Sequence, residues 1–303
     1  MTDRETERAR EEWRGLDLLD VQGQLAAFDA ADAEIAPAVA AAGDAIAGVV
    51  SDAVAALRAG GRLVYVGAGT AGRIAALDAA EVGPTFGVPS DLVIAVVAGG
   101  TAAYADAQEG LEDDEAAGAL DVTAVGIRPE DLVVGVTASG STPYVVAALQ
   151  RAAQLGARTA VVVSTPASSA EAVVDRTVLV ETGPEVVAGS TRLRAGTAQK
   201  LVLNRISTLT MVGLGHVYGN LMVGVRPDNT KLRERQRRIL QDATGSSREA
   251  VDEALVATGR DARAALVLLL TGAPAADAVA AVRAAQGDVR AAVAAVCLPA
   301  DPS

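Results

Sequence analysis

The sequence predicts an α/β protein: a doubly wound parallel sheet, preceded by N-terminal helices and followed by a small C-terminal helical bundle. Three observations carry this reading. Short apolar runs alternate with helical stretches through the middle of the chain, the pattern of parallel strands joined by crossover helices. The stretch RLVYVGAGTAGRIAALDAAEVGPTFG, from Arg62 to Gly87, reads as strand, glycine-rich turn and helix. A second unit from Asp131 to Leu155 repeats that order, with hydroxyls in the turn where the first has glycines.

The elements follow in order. From Leu16 to Leu57 apolar residues recur at helical spacing, broken around Pro37 and stopped by Gly60-Gly61. Leu63 to Val66 is β-branched and aromatic enough for a strand buried on both faces. The helix after it is expected to stop at Gly83-Pro84. Leu92 to Ala98 reads as a strand, Ala102 to Leu120 as an acidic helical stretch, and Asp131 to Thr137 as another strand. The turn Ala138-Ser139-Gly140-Ser141-Thr142-Pro143 leads into a helix from Tyr144 to Leu155. Arg158 to Val163 and Arg176 to Val180 are two further strands, and Thr197 to Leu214 a long helix. From Asn229 the pattern is helical, with breaks near Gly245, Gly259, Gly272 and Gly287 that suggest about three short helices. This gives a helical segment over 1–52, a sheet domain over 53–216 and a helical region over 217–303.

Half of the 303 residues are apolar but only 2% are aromatic, so the core must be built from Ala, Val and Leu. A net charge of -12 without a basic cluster argues against nucleic acid and anionic membranes as partners. One cysteine, Cys297, leaves no internal disulfide, and a single histidine leaves no His-rich metal centre. The charged N-terminus and the absence of a long apolar run predict a soluble, cytoplasmic protein.

Gly67, Gly69 and Gly72 have the spacing G-x-G-x-x-G, which lets backbone approach an anion at a helix N-terminus, and Thr70 adds a hydroxyl donor. The same spacing marks dinucleotide sites, but those place an acidic residue at the end of the next strand. Here Gly99-Gly100-Thr101 stands there, so a phosphorylated small molecule ranks above a nicotinamide cofactor, and a turn that binds nothing is the remaining alternative. In such sheets ligands bind at the carboxyl ends of the strands, where both special turns fall.

Longer motifs carry a resemblance. VYVGAGTAGRIAALDAAEVGPTFG, VVGVTASGSTPYVV, TGPEVVAGSTRLRAGTAQKLVLNRIST and HVYGNLMVGVRPDNTKLRERQ resemble the N-acetylmuramic acid 6-phosphate etherase family, a branch of the sugar isomerase (SIS) domain superfamily, over nearly the whole chain. The resemblance implies a cytoplasmic enzyme of cell-wall recycling, a homodimer with shared sites, that converts N-acetylmuramic acid 6-phosphate to N-acetylglucosamine 6-phosphate and D-lactate. It places the catalytic carboxylates at Glu81, in Asp78-Ala79-Ala80-Glu81, and at Glu112, in Glu109-Gly110-Leu111-Glu112-Asp113. It implies phosphate-binding hydroxyls at Thr70, Ser139 and Thr142, and a sugar contact at Glu185. Departures fall near the site: Ala71 for serine, Ser141 for arginine, Val82-Gly83 for Cys-Pro, and Gly224 for aspartate.

The chemistry is consistent with two carboxylates. Opening the muramic acid ring exposes an aldehyde that acidifies C2, so a base at C2 and an acid at the departing lactate oxygen suffice for elimination, followed by water addition at C3. No metal or other cofactor is required. Glu81 suits the acid, because the negative end of its helix disfavours an ionised carboxylate. Without the resemblance, Glu81 reads about equally as a solvated helix-end residue, and Glu112, in the acidic run of Glu109, Glu112, Asp113, Asp114 and Glu115, reads as part of a solvated face. Asp78, three residues earlier, is expected on the same helix side, to tune Glu81 or cap a neighbour. Lys200 pairs either with the phosphate or in a structural bridge with Glu185, and Ser190 and Thr191 either line the pocket or satisfy backbone. The competing readings are a non-catalytic sugar-phosphate-binding regulator and an aldose-ketose isomerase.

Overall fold

The structure is a computed structural model that describes residues 5–104, 110–225 and 230–297. The chain divides into two compact units, one of residues 1–80 and 90–207, the other of residues 81–89 and 208–303.

In the first unit, helices α1 (Val21–Asp32), α2 (Ile35–Ala41) and α3 (Gly43–Arg58) precede β1 (Leu63–Gly67). Pro37 lies in the first turn of α2, where its missing N–H has no partner to lose, so the break falls before it at Ala33-Glu34. Helix α4 (Gly69–Phe86) follows, then β2 (Val93–Val97), α5 (Glu115–Ala124), β3 (Leu132–Val136), α6 (Pro143–Gln154), β4 (Arg158–Val163), β5 (Arg176–Leu179) and α7 (Arg194–Gly213). The five strands are all parallel in the order β2-β1-β3-β4-β5, with Leu63 of β1 in register with Val93 and Leu132. Strands β1 and β3 are buried throughout, as their unbroken apolar runs require.

Small residues set the packing. Val64, Val66, Val133, Val161 and Val163 form one core cluster with Tyr144, Val145 and Leu149 of α6. A Cβ on Gly135 would stand 2.6 Å from Leu149, and one on Gly118 only 2.2 Å from the Tyr144 carbonyl oxygen, so glycine lets α6 sit close on both sides. At the entrance of the sheet, buried Asp131 accepts from the Arg62 backbone N–H at 2.8 Å and from its guanidinium at 2.7 Å, joining β1 to β3. Asp52 of α3 binds Arg158 and Arg176 at the starts of β4 and β5.

Two sequence expectations are corrected here. The acidic stretch Ala102–Leu120 is not one helix: 3-10 turns cover Gly100–Tyr104 and Leu111–Asp113, Ala105 to Glu109 lie outside the described residues, and α5 begins only at Glu115. Asp114 supplies that boundary by accepting from the Ala117 N–H at 2.9 Å as its N-cap. Likewise Gly83-Pro84 does not stop α4. The helix contains Pro84, runs on to Phe86 and ends at Gly87, whose φ is 68° and whose N–H donates to the Gly83 carbonyl at 2.9 Å.

The second unit holds a two-stranded antiparallel ribbon, β6 (Val217–Tyr218) and β7 (Leu221–Met222), and the helices α8 (Thr230–Thr244), α9 (Arg248–Ala257), α10 (Ala262–Thr271), α11 (Ala275–Ala284) and α12 (Val289–Cys297). The expected start at Asn229 lies outside the described residues. The glycine breaks fall where expected but separate five helices, not about three. Leu240, Val251, Leu255, Leu266, Val282 and Val289 are among the residues that close their common core. Ser247 and Asp261 cap α9 and α10 by accepting from Ala250 and from Arg263 and Ala264. Among the described residues no single helix is long and apolar enough to cross a membrane.

Candidate functional site

A cavity of about 440 Å³ opens at the carboxyl ends of β1 and β3, within the first unit. Connections leave these neighbouring strands toward opposite sides of the sheet, which makes the crevice between them the expected ligand position.

The glycine turn forms one wall, and its three glycines do different work. Gly69 has φ of 54° with nothing within 4 Å of a Cβ, and it lines the cavity with Thr70 and Ala71. Gly67 and Gly72 are not in the lining. A Cβ on Gly67 would meet the Gly72 Cα at 2.8 Å, so this pair closes β1 onto the start of α4. The helix thereby begins at the cavity, with Gly69, Thr70 and Ala71 of its first turn in the lining, where helix N–H groups lack intrahelical acceptors.

The hydroxyl turn forms the next wall. Thr137, at the end of β3, bonds Thr142 Oγ1 at 2.8 Å and accepts from the Gly140 N–H at 3.3 Å. Ser139 accepts from the Ser141 N–H at 3.2 Å and from its hydroxyl at 3.3 Å. Thr142 is the N-cap residue of α6 and its side chain makes no capping bond; with Pro143, which has no N–H of its own, it brings the N-terminal end of α6 to the cavity wall. Two helix N-termini and the hydroxyl side chains of Thr70, Thr137, Ser139, Ser141 and Thr142 therefore border one space in a chain of net charge -12. That local field favours a phosphate despite the charge of the whole.

Glu112 and Asp113 supply carboxylates to the same cavity from the 3-10 turn after Gly110, whose φ is 82°. Glu109 of that motif lies outside the described residues. Thus Gly69, Thr70, Glu112, Ser139 and Thr142 line one cavity. Glu81 is exposed on α4, in the second unit, more than three turns beyond Gly69. It is not at a helix end, as expected, because α4 continues to Phe86.

The other expected contacts are placed differently. Glu185 is 1% exposed and does not line the cavity: its carboxylate accepts from the backbone N–H groups of Arg194 at 2.8 Å and Ala195 at 3.0 Å, capping α7. Burial pushes this carboxyl above the usual carboxylate range, against the lowering effect of those two bonds. Lys200 is exposed and donates to Asn204 Oδ1 at 2.6 Å, so it meets neither the cavity nor Glu185. Ser190 is half-buried between two lining residues, Gly189 and Thr191, and its own N–H donates to Val187.

Asp78 is buried, accepting from Tyr65 at 3.0 Å, Asn204 at 2.9 Å and Ser207 at 3.1 Å. Burial raises its pKa against those three bonds, which come from side chains of β1 and α7 and not from the backbone N–H groups of a helix end. His216 is buried in the second unit, and a Cβ on nearby Gly224 would stand only 2.1 Å from the Phe86 carbonyl oxygen.

Three lining residues carried no sequence signal. Thr6 and Glu7 border the cavity because the Thr6 carbonyl accepts from the Gly189 N–H at 3.1 Å, a contact between distant parts of the chain with no local signature. Gln199 of α7 borders it as well. Among the described residues no group of three or more His, Cys, Asp or Glu side chains is arranged to hold a metal ion.

Comparison with known proteins follows this geometry. Residues 45–153 match the glucokinase regulatory protein N-terminal SIS domain family model. The phosphoheptose isomerase of Francisella tularensis shares the fold at 17% identity, with a TM-score of 0.50 over 63% of this chain and 98% of that one. The N-acetylmuramic acid 6-phosphate etherase of Rubrobacter xylanophilus is 49% identical over 80% of each chain. That of Deinococcus radiodurans is 45% identical over 96% of this chain and 95% of its own. At this identity over nearly the full length, the chain belongs to the N-acetylmuramic acid 6-phosphate etherase family.

Proposed function

We infer that this chain is a carbon–oxygen lyase that cleaves the C3 lactyl ether of N-acetylmuramic acid 6-phosphate, giving N-acetylglucosamine 6-phosphate and D-lactate, a step of cell-wall recycling. The observation that carries the reading is near full-length similarity to etherases, in a chain whose cavity combines an anion cradle with Glu112.

The phosphate is assigned to the α4 and α6 N-termini, with Gly69, Thr70, Ser139 and Thr142 as its contacts. In the ring-opened sugar the C1 aldehyde acidifies C2. Glu112 takes the C2 proton, the C3–oxygen bond breaks with its electron pair leaving on the lactate oxygen, and Glu81 supplies the proton that oxygen needs. Water then adds at C3 and a proton returns to C2. Ordinary acid–base chemistry balances every step.

We read the enzyme as a homodimer with shared sites. Exposed Leu77 on α4, and exposed Leu209 and Val212 on α7, are apolar surface that a second copy would cover.

The test is incubation of the purified protein with N-acetylmuramic acid 6-phosphate, with D-lactate and the remaining sugar phosphate measured together. Equal amounts of D-lactate and N-acetylglucosamine 6-phosphate are expected. A ketose product would make the chain an isomerase, and binding without turnover a regulator.

A further inference from the structure

Five buried side-chain atoms lack a hydrogen-bond partner among the described residues: Thr165 Oγ1, Thr182 Oγ1, Arg194 Nε, Gln199 Nε2 and His216 Nδ1. Of these residues only Gln199 lines the cavity at the carboxyl ends of the strands. Gln199 is 2% exposed, so bulk solvent does not reach the amide nitrogen, and among the described residues nothing accepts from it. A buried donor left unmade is costly to folding, and a helix position of this kind is served more cheaply by an apolar residue. The retained donor therefore points to a ligand atom that completes it.

The chemistry of the donor narrows that atom. An amide nitrogen donates, so the partner is an acceptor. A permanent anion already has its own cradle in two helix N-termini and the hydroxyls of the two turns, on other elements than α7. The adjoining residue, Lys200, is a cation, yet it is turned out to solvent and bonded to Asn204. What α7 places at the cavity wall at this point is a residue with a neutral, buried and unpartnered donor. Such a group suits an oxygen that is uncharged in the bound substrate and gains charge during the reaction.

We propose that Gln199 donates a hydrogen bond from Nε2 to the C1 oxygen of the ring-opened sugar phosphate, and so stabilises the enolate formed when the C2 proton is removed. This rests on the etherase reading above. The step balances without a further reactant: the C2–H bond breaks, its proton goes to a carboxylate, and its electron pair becomes the C1–C2 double bond as the aldehyde oxygen takes up the charge.

The experiment compares the full-length wild type with Gln199→Leu and Gln199→Glu. It follows lactate release from N-acetylmuramic acid 6-phosphate, exchange of C2 hydrogen with deuterated water in both that substrate and N-acetylglucosamine 6-phosphate, and thermal unfolding. Gln199→Leu is expected to slow exchange and lactate release by a common factor of about a hundred, the loss typical of a single oxyanion donor, with KM changed less than threefold. Its Tm should equal or exceed that of the wild type, because the unmade donor is gone. Gln199→Glu, which puts a negative charge beside the developing one, should be at least as slow. Exchange at wild-type rate in Gln199→Leu overturns the proposal, and so does a tenfold higher KM with unchanged kcat, which would make the contact one of ground-state binding. A wild type that exchanges C2 hydrogen but releases no lactate would end the etherase reading while leaving the exchange test of Gln199 in force. Absence of both exchange and lactate release in the wild type overturns both.

Discussion

A Cβ on Gly72 would lie 2.9 Å from the carbonyl oxygen of Gly67 and 2.7 Å from Val97 Cγ1, so the start of α4 is held against the end of β1 at a distance no side chain tolerates. The neighbour on one side is backbone, which cannot swing aside. Gly72→Ala should therefore destabilise the protein by about 1–3 kcal/mol, the usual cost of overpacking. Urea unfolding measures it. An unchanged midpoint would show that the turn yields freely and that its closeness is not needed.

The proposed acid and base separate in labelled water. Glu112→Gln should abolish both C2 exchange and lactate release, because the first step is lost. Glu81→Gln should abolish lactate release while exchange continues, since the base and the aldehyde remain. Each loss should be about a hundredfold or more, as for a positioned acid or base. The reverse pattern would exchange the two roles, and full lactate release by both variants would remove the pair from the mechanism.

Glu185 offers a direct contrast between a cap and a ligand. Because its carboxylate holds the Arg194 and Ala195 N–H groups, Glu185→Ala should lower stability by about 1–2 kcal/mol, as loss of a helix cap does. The KM of the folded variant should stay within a few fold of wild type. A large rise in KM without loss of stability would return Glu185 to the sugar.

His216 is the only histidine in the sequence, so one imidazole titration reports it alone. Burial, and then the charge of Arg263, hold its pKa below the ordinary 6.5, against the raising effect of a bond to the Phe86 carbonyl. Below pH 6.5 the unfolded chain then binds a proton that the native chain refuses. The stability linked to this group is whole above 6.5 and is lost as pH falls from there through the native value. Proton NMR should show a midpoint below 6.5, and His216→Gln should flatten the pH dependence of Tm in that window. A midpoint at or above 6.5 would contradict the assignment.

The sheet was legible because its strands are buried on both faces: a run such as Leu63 to Val66 has no other good use in a chain this poor in aromatics. Turn chemistry made both walls of the cavity readable for the same reason, since glycine and hydroxyl residues at strand ends have few structural alternatives. Side-chain direction was less legible. Asp78 and Glu81 lie three residues apart, yet one is buried under Tyr65 and the other exposed, because a 3.6-residue period sets them about 60° apart across the edge of the buried stripe. Gln199, Thr6 and the capping role of Glu185 depend on tertiary contacts that no local spacing encodes.

Gly224 stands where the resemblance leads one to expect aspartate, and its backbone lies against the Phe86 carbonyl oxygen, 2.1 Å from where a Cβ would be. An aspartate introduced at 224 alone would meet a main-chain atom, and no change of rotamer relieves a clash that begins at Cβ. A graft that carries the aspartate into this chain must therefore bring the segment around Phe86 with it.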